Sequence, residues 1–172
     1  MKEFEFSRPI DVSRLGRGEG DYEIAASSEE RDALAQRFGL LALDRLEARI
    51  EIKRVPGGFY RLSARLVAQL TQACVISLEP VAARIDEEFA LLYGPIDAGT
   101  EVVLDGAAET IEALEGDIID LGEAVAQQLS LALDPFPHAP GAELSATAQG
   151  DRQDAHDSPF AVLAKLRDRG DS

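Results

Sequence analysis

The sequence predicts an α+β fold: an antiparallel β-sheet with two main helices and a mobile C-terminal tail that ends in a short helix. Three observations point there. Residues 43–71 alternate apolar and polar side chains with the two-residue period of a strand, and this pattern is broken once, at Pro56, Gly57 and Gly58. One segment before this stretch and one after it carry helix start and stop signals. A polar run without apolar periodicity then precedes a last amphipathic stretch. On this reading residues 1–142 form a single domain, 143–157 a flexible linker and 158–170 a short C-terminal amphipathic helix.

Taken in order, Phe4 and Phe6 alternate with acids ahead of Arg8, Pro9 and Ile10, the pattern of a short opening strand that stops at the proline. Residues 15–20, LGRGEG, hold three glycines but lack the Lys-Ser/Thr of a nucleotide loop, so they read as a flexible surface loop. Residues 27–39 form a helix. Ser27 and Glu30 make a capping box, Leu34 and Phe38 share a face, and Gly39 supplies a left-handed stop. The hairpin follows, with Leu46, Ala48, Ile50 and Ile52 on the core face of its first arm and Tyr60, Leu62, Ala64, Leu66, Ala68 and Leu70 on that of its second. The two apolar faces coincide only if a three-residue loop sets Val55 opposite Phe59. That register places Lys53 beside Arg61 and Arg49 beside Arg65, like charges that interleaved Glu47 and Glu51 can relieve. Residues 83–93 read as a further strand with Ile85, Phe89, Leu91 and Tyr93 on one side. Near residue 120, Asp120 and Glu123 cap a second helix whose Leu121, Val125 and Leu129 form a stripe, and Asp134 with Pro135 ends it. In the last segment Ser158 is an N-cap, Pro159 suits the first helical position, and Phe160, Leu163 and Leu166 form an apolar edge that needs something to dock on.

Charge narrows the functional classes. Of 172 residues 17 are basic and 32 acidic, a net charge of −15 that argues against nonspecific polyanion binding driven by overall charge. The excess is uneven: up to Leu66 there are 12 basic and 12 acidic residues, beyond it 5 and 20, with no Lys or Arg between Arg84 and Arg152. The acidic half is either a solvated face or a docking surface for a basic protein. A single cysteine, Cys74, forbids an intramolecular disulfide and a zinc site built from several thiolates. The N-terminus has no apolar stretch of signal-peptide length and no run reaches bilayer length, so a cytoplasmic protein without a membrane partner is expected.

The candidate site is a stripe on the outward face of the hairpin: Arg45, Arg49, Lys53, Arg61 and Arg65, with Phe59 near the turn. Guanidinium groups bind phosphate bidentately and an exposed aromatic ring can stack on an unpaired base, so the stripe is a candidate RNA-binding surface; the alternative is a solvated face of cross-strand Arg-Glu pairs. Enzyme chemistry has little support. The two histidines, His138 and His156, lie in a proline-rich exit and in the linker, and Asp86, Glu87 and Glu88 are consecutive and so alternate between faces. No cofactor, metal or small-molecule substrate is expected.

Residues 71–81, TQACVISLEPV, resemble the central signature of the YceD family, named for large ribosomal RNA subunit accumulation, in which two cysteines flank a dipeptide and a Leu-Glu-Pro-like turn follows. Cys74 falls at the first cysteine position and Ser77 at the second, with Leu78, Glu79 and Pro80 continuing the pattern. With a serine there, neither half a zinc site nor a redox pair is available, and Cys74 reads as a small buried hydrophobe. Residues 117–141 resemble the family's later block and 158–170 the terminal segment of its proteobacterial members. The resemblance implies a part in accumulation of large-subunit ribosomal RNA. Together with the arginine stripe it leads to the expectation of a noncatalytic ribosome-assembly factor that binds that RNA or its precursor. The alternative is an acidic chaperone or adaptor that holds a basic ribosomal protein without direct RNA contact.

Overall fold

The structure, a computed structural model, describes residues 4–94, 100–104, 107–114 and 116–142. The chain divides into two units, 1–139 and 140–172, and every helix and strand described lies in the first. The expected linker, 143–157, and the expected terminal helix with Phe160, Leu163 and Leu166 lie outside the described residues.

In chain order the elements are β1 (Pro9–Asp11), two single 3₁₀ turns (Val12–Arg14 and Gly16–Gly18), β2 (Glu19–Ala25), α1 (Ser28–Phe38), β3 (Ala42–Val55), β4 (Phe59–Ala73), β5 (Pro80–Gly94), β6 (Thr100–Leu104), β7 (Ala107–Ala113), β8 (Ile118–Asp120) and α2 (Leu121–Ala132). Six strands make one sheet in the order β2-β3-β4-β5-β7-β6, antiparallel throughout except for a short parallel pairing of β5 with β7. The other two, β1 and β8, pair with each other. This is the α+β class, with two α-helices against a mainly antiparallel sheet.

Both helices begin where their caps require. The Ser27 hydroxyl accepts the Glu30 N–H at 3.3 Å while the Glu30 carboxylate accepts the Ser27 N–H at 2.7 Å. Gly39, at φ +66°, turns its N–H back to the carbonyls of Ala35 and Gln36. At α2 the Asp120 carboxylate accepts from Gly122 and Glu123 at 3.0 and 3.2 Å, and also from the Arg8 N–H at 2.8 Å and the Ser7 hydroxyl. Glu123 does not reach back to complete a box. Its buried carboxylate instead takes both guanidinium nitrogens of Arg37, each at 2.8 Å, which ties α2 to α1.

The hairpin register agrees with the sequence. Val55 pairs with Phe59, Lys53 with Arg61 and Arg49 with Arg65, and a bulge between Leu43 and Arg45 is the one irregularity. Leu46, Ile52, Leu62, Leu66 and Leu70 are essentially inaccessible and share one core with Leu34 of α1 and Leu121, Val125 and Leu129 of α2. Burying each such side chain contributes about 1.5–3 kcal/mol, so the inner faces of β3 and β4 are committed to the helices.

Two expectations need correction. Residues around Phe4 and Phe6 do not form a strand that ends at Pro9; the strand begins there, and Phe6 is a fully buried core residue. Proline lacks an N–H but suits the first position of a strand, which decides the direction. The glycine-rich 15–20 stretch is a 3₁₀ turn that leads straight into β2, whose first residues are Glu19 and Gly20.

Candidate functional site

Because α1 and α2 occupy one face of the sheet, the other face presents its side chains outward. Strand register arranges these in rows that cross β2, β3, β4 and β5. The central row is Glu23, Arg49, Arg65 and Glu88; on one side lies Asp21, Glu51, Ser63 and Ala90, and on the other Ala25, Glu47, Val67 and Asp86. Rows two residues apart along a strand stand about 6.8 Å from each other. Between the central row and the first flanking row runs a shallow trough of about 640 Å³, floored by the strand segments at Tyr22, Ile50, Ala64 and Phe89. A second depression of about 490 Å³ lies on the other side, against Ala25, Arg45, Glu47 and Val67. The Arg49–Arg65 row is thus a ridge between two troughs. The first is open because Ser63 and Ala90 are small.

The structure brings the stripe together on this face and supplies most of it with carboxylates. Arg65 makes a two-point contact with Asp86, Nε to Oδ1 at 2.7 Å and Nη2 to Oδ2 at 3.0 Å, and Asp86 also meets Arg84 at 3.5 Å. Arg49 meets Glu23 at 3.0 Å, Arg45 meets Glu47 at 2.6 Å and Lys53 meets Glu51 at 2.6 Å. The hydrogen bond from Arg65 is the main reason the Asp86 carboxyl sits below its ordinary range, and the one from Arg45 does the same for Glu47. Glu51 meets Lys53, one of the opposed cations, along its own strand, whereas Glu47 meets Arg45, which faces Gln69; the partners of Arg49 and Arg65 come from β2 and β5. Arg61 stands in the next row, between Lys53 and Leu92. Phe59 is half-buried: its ring lies on Gly94, where an added Cβ would meet it at 2.1 Å. One side of the ring is therefore used for packing.

Glu23 and Asp86 are the members of the site that the sequence reading missed. The signal for Glu23 was present, since Glu19, Asp21 and Glu23 alternate with Tyr22 and Ile24.

At the end of β4 the chain makes a tight turn. The Cys74 N–H bonds the Glu79 carbonyl at 2.8 Å and the Leu78 N–H bonds the Cys74 carbonyl at 3.0 Å. Cys74 is fully buried, and its Sγ accepts the N–H groups of Ile76 and Ser77, each at 3.4 Å. The Ser77 hydroxyl first, then the N–H groups of Ser77 and Ala139, bring the thiol down to about 6, against the opposing effect of burial. Ser77 also engages Glu79 through its hydroxyl. Among the described residues, no group of three His, Cys, Asp or Glu side chains is placed to hold a metal ion, and no helix is long and apolar enough to cross a membrane.

Fold and site together define an α+β protein whose helices seal one sheet face and leave a charged, grooved face open. Residues 62–167 match the family model described as large ribosomal RNA subunit accumulation protein YceD. The match spans more than half of the chain, and the chain belongs to the YceD family. No curated protein and no solved structure matches it. The family assigns the chain a role in accumulation of large-subunit ribosomal RNA.

Proposed function

We propose that the chain is a noncatalytic, cytoplasmic ribosome-assembly factor that contacts precursor of the large-subunit ribosomal RNA through the open face of its sheet. The observation that carries this reading is the Arg49–Arg65 ridge flanked by two troughs. A phosphate placed beside the ridge can take over the two-point hydrogen bonding that Arg65 now gives to Asp86. The exchange is inexpensive, because an ion pair this exposed to water and salt holds its partners only weakly. Base edges and ring faces then fit the troughs, whose floors are backbone and small side chains. Neither a cofactor nor a small-molecule substrate has a part in this.

Ultraviolet crosslinking in cells tests it, followed by sequencing of the RNA attached to the unmodified protein and to the Arg49→Ala, Arg61→Ala, Arg65→Ala triple variant. Large-subunit ribosomal RNA should be enriched with the unmodified protein and depleted with the variant. A second reading, an acidic adaptor for a basic ribosomal protein, draws on the absence of Lys and Arg from 85–151. Ribosomal proteins that copurify while no RNA crosslinks above background would overturn the RNA reading in favour of the second.

A further inference from the structure

Large apolar side chains left in water are concentrated at one end of the sheet. Among the described residues six are exposed, and four of these, Val75, Leu78, Leu131 and Phe136, belong to two adjoining segments. The turn after β4 is joined to the exit of α2 by the Val75 N–H on the Pro137 carbonyl at 2.9 Å and by the Gln72 side-chain amide on the Asp134 carbonyl at 2.9 Å. Leu78 is the most telling of the four. Among the described residues it is the one non-glycine residue at positive φ, +61°, and the residue is 75% exposed. Bulky residues rarely adopt that backbone conformation, and nothing in the turn's own packing uses the leucine side chain that it displays.

We propose that this end of the sheet is a docking surface for a basic amphipathic segment of a protein partner. The charge around it selects the occupant. Glu79 and Asp134 rim the apolar side chains, and residues 85–142 contain no Lys or Arg. Such a rim repels phosphate and a second copy of a chain whose net charge is −15, and attracts a helix that sets apolar residues at three- and four-residue spacing among lysines and arginines. The surface is rigid before binding, because the turn closes on itself between Cys74 and Glu79 and is tied to the α2 exit, so little ordering is needed. The site is separate from the hairpin face and stands whether or not that face touches RNA.

The test uses the full chain and a fluorescent 18-residue peptide of leucine at helical spacing and lysine elsewhere, with a scrambled peptide and a Lys-to-Glu peptide as controls, read by anisotropy. Binding is expected for the first peptide alone and should weaken with salt. Leu78→Gly separates docking from structure, since glycine accepts positive φ: its thermal midpoint should hold or rise while affinity falls about tenfold, the loss expected of an interface anchor. Phe136→Ser should weaken binding in the same way, and Ile118→Ser, which removes an exposed apolar side chain on β8, should not. The proposal is overturned if the leucine–lysine peptide does not bind, if either control peptide binds equally, or if Leu78→Gly binds as the parent does. It is also overturned if the parent proves dimeric and Leu78→Gly monomeric, which would assign the surface to a second copy.

Discussion

The Cys74 thiol is sealed from solvent, yet the donors around it bring its ionisation from the ordinary 9.0 down to about 6. A lowered folded-state value means the folded chain holds the thiolate better than the unfolded chain does. The resulting stabilisation is fully present above the ordinary value and fades as pH falls through about 6. Unfolding by urea at pH 5.5, 7.5 and 9 should therefore show the parent gaining on Cys74→Ala as pH rises. A difference independent of pH would mean that the thiol stays protonated and serves as packing alone. The sequence showed a small buried side chain here, since one cysteine offers no pairing. Ser77 and Ile76, the nearest donors, lie within three residues, but the sequence could not show the third, because Ala139 reaches Cys74 only through the tertiary fold.

Elements whose causes are local could be read from the sequence, and those whose causes are distant could not. The capping box of α1 lies within four residues, and the hairpin register follows from matching apolar faces across a three-residue loop. By contrast β8 is three residues long and is held by β1 more than a hundred positions away, a pairing that no local period reports. The same N-terminal stretch sets a sharp test at the start of α2. A Cβ on Gly122 would sit 2.3 Å from the Phe6 carbonyl oxygen, a clash with backbone that no side-chain rotation relieves. Gly122→Ala should cost about 3 kcal/mol, the upper end of what forced overpacking typically costs, although alanine is the better helix former. Ser27→Ala, which removes one cap from α1, should cost about 1 kcal/mol. Equal midpoints for the two variants in urea would show that the N-terminal segment gives way instead of holding α2 in place.

For the whole molecule, the proposed RNA contact has to be reconciled with a net charge of −15. At physiological salt, charges more than about 8 Å apart are largely screened, so the local balance on the open face outweighs the total. On the proposed reading Arg45, Arg49 and Arg65 would each exchange a carboxylate for a phosphate, and Arg65 is the most firmly engaged, through its two-point contact with Asp86. Asp86→Asn should free Arg65 and tighten binding of a single-stranded fragment of the precursor RNA by about threefold, a change within the range of one exposed ion pair. Asp32→Asn makes the same change in net charge on α1, which lies against the other sheet face, and should leave affinity almost unaltered. The triple alanine variant should lower the salt slope by about 2, since each phosphate of a single strand that a side chain neutralises adds about 0.7 to it. Titrations at several salt concentrations separate the cases. Equal tightening by Asp86→Asn and Asp32→Asn would make the effect one of total charge, and weaker binding by Asp86→Asn would show that the carboxylate aims Arg65 at RNA instead of holding it back.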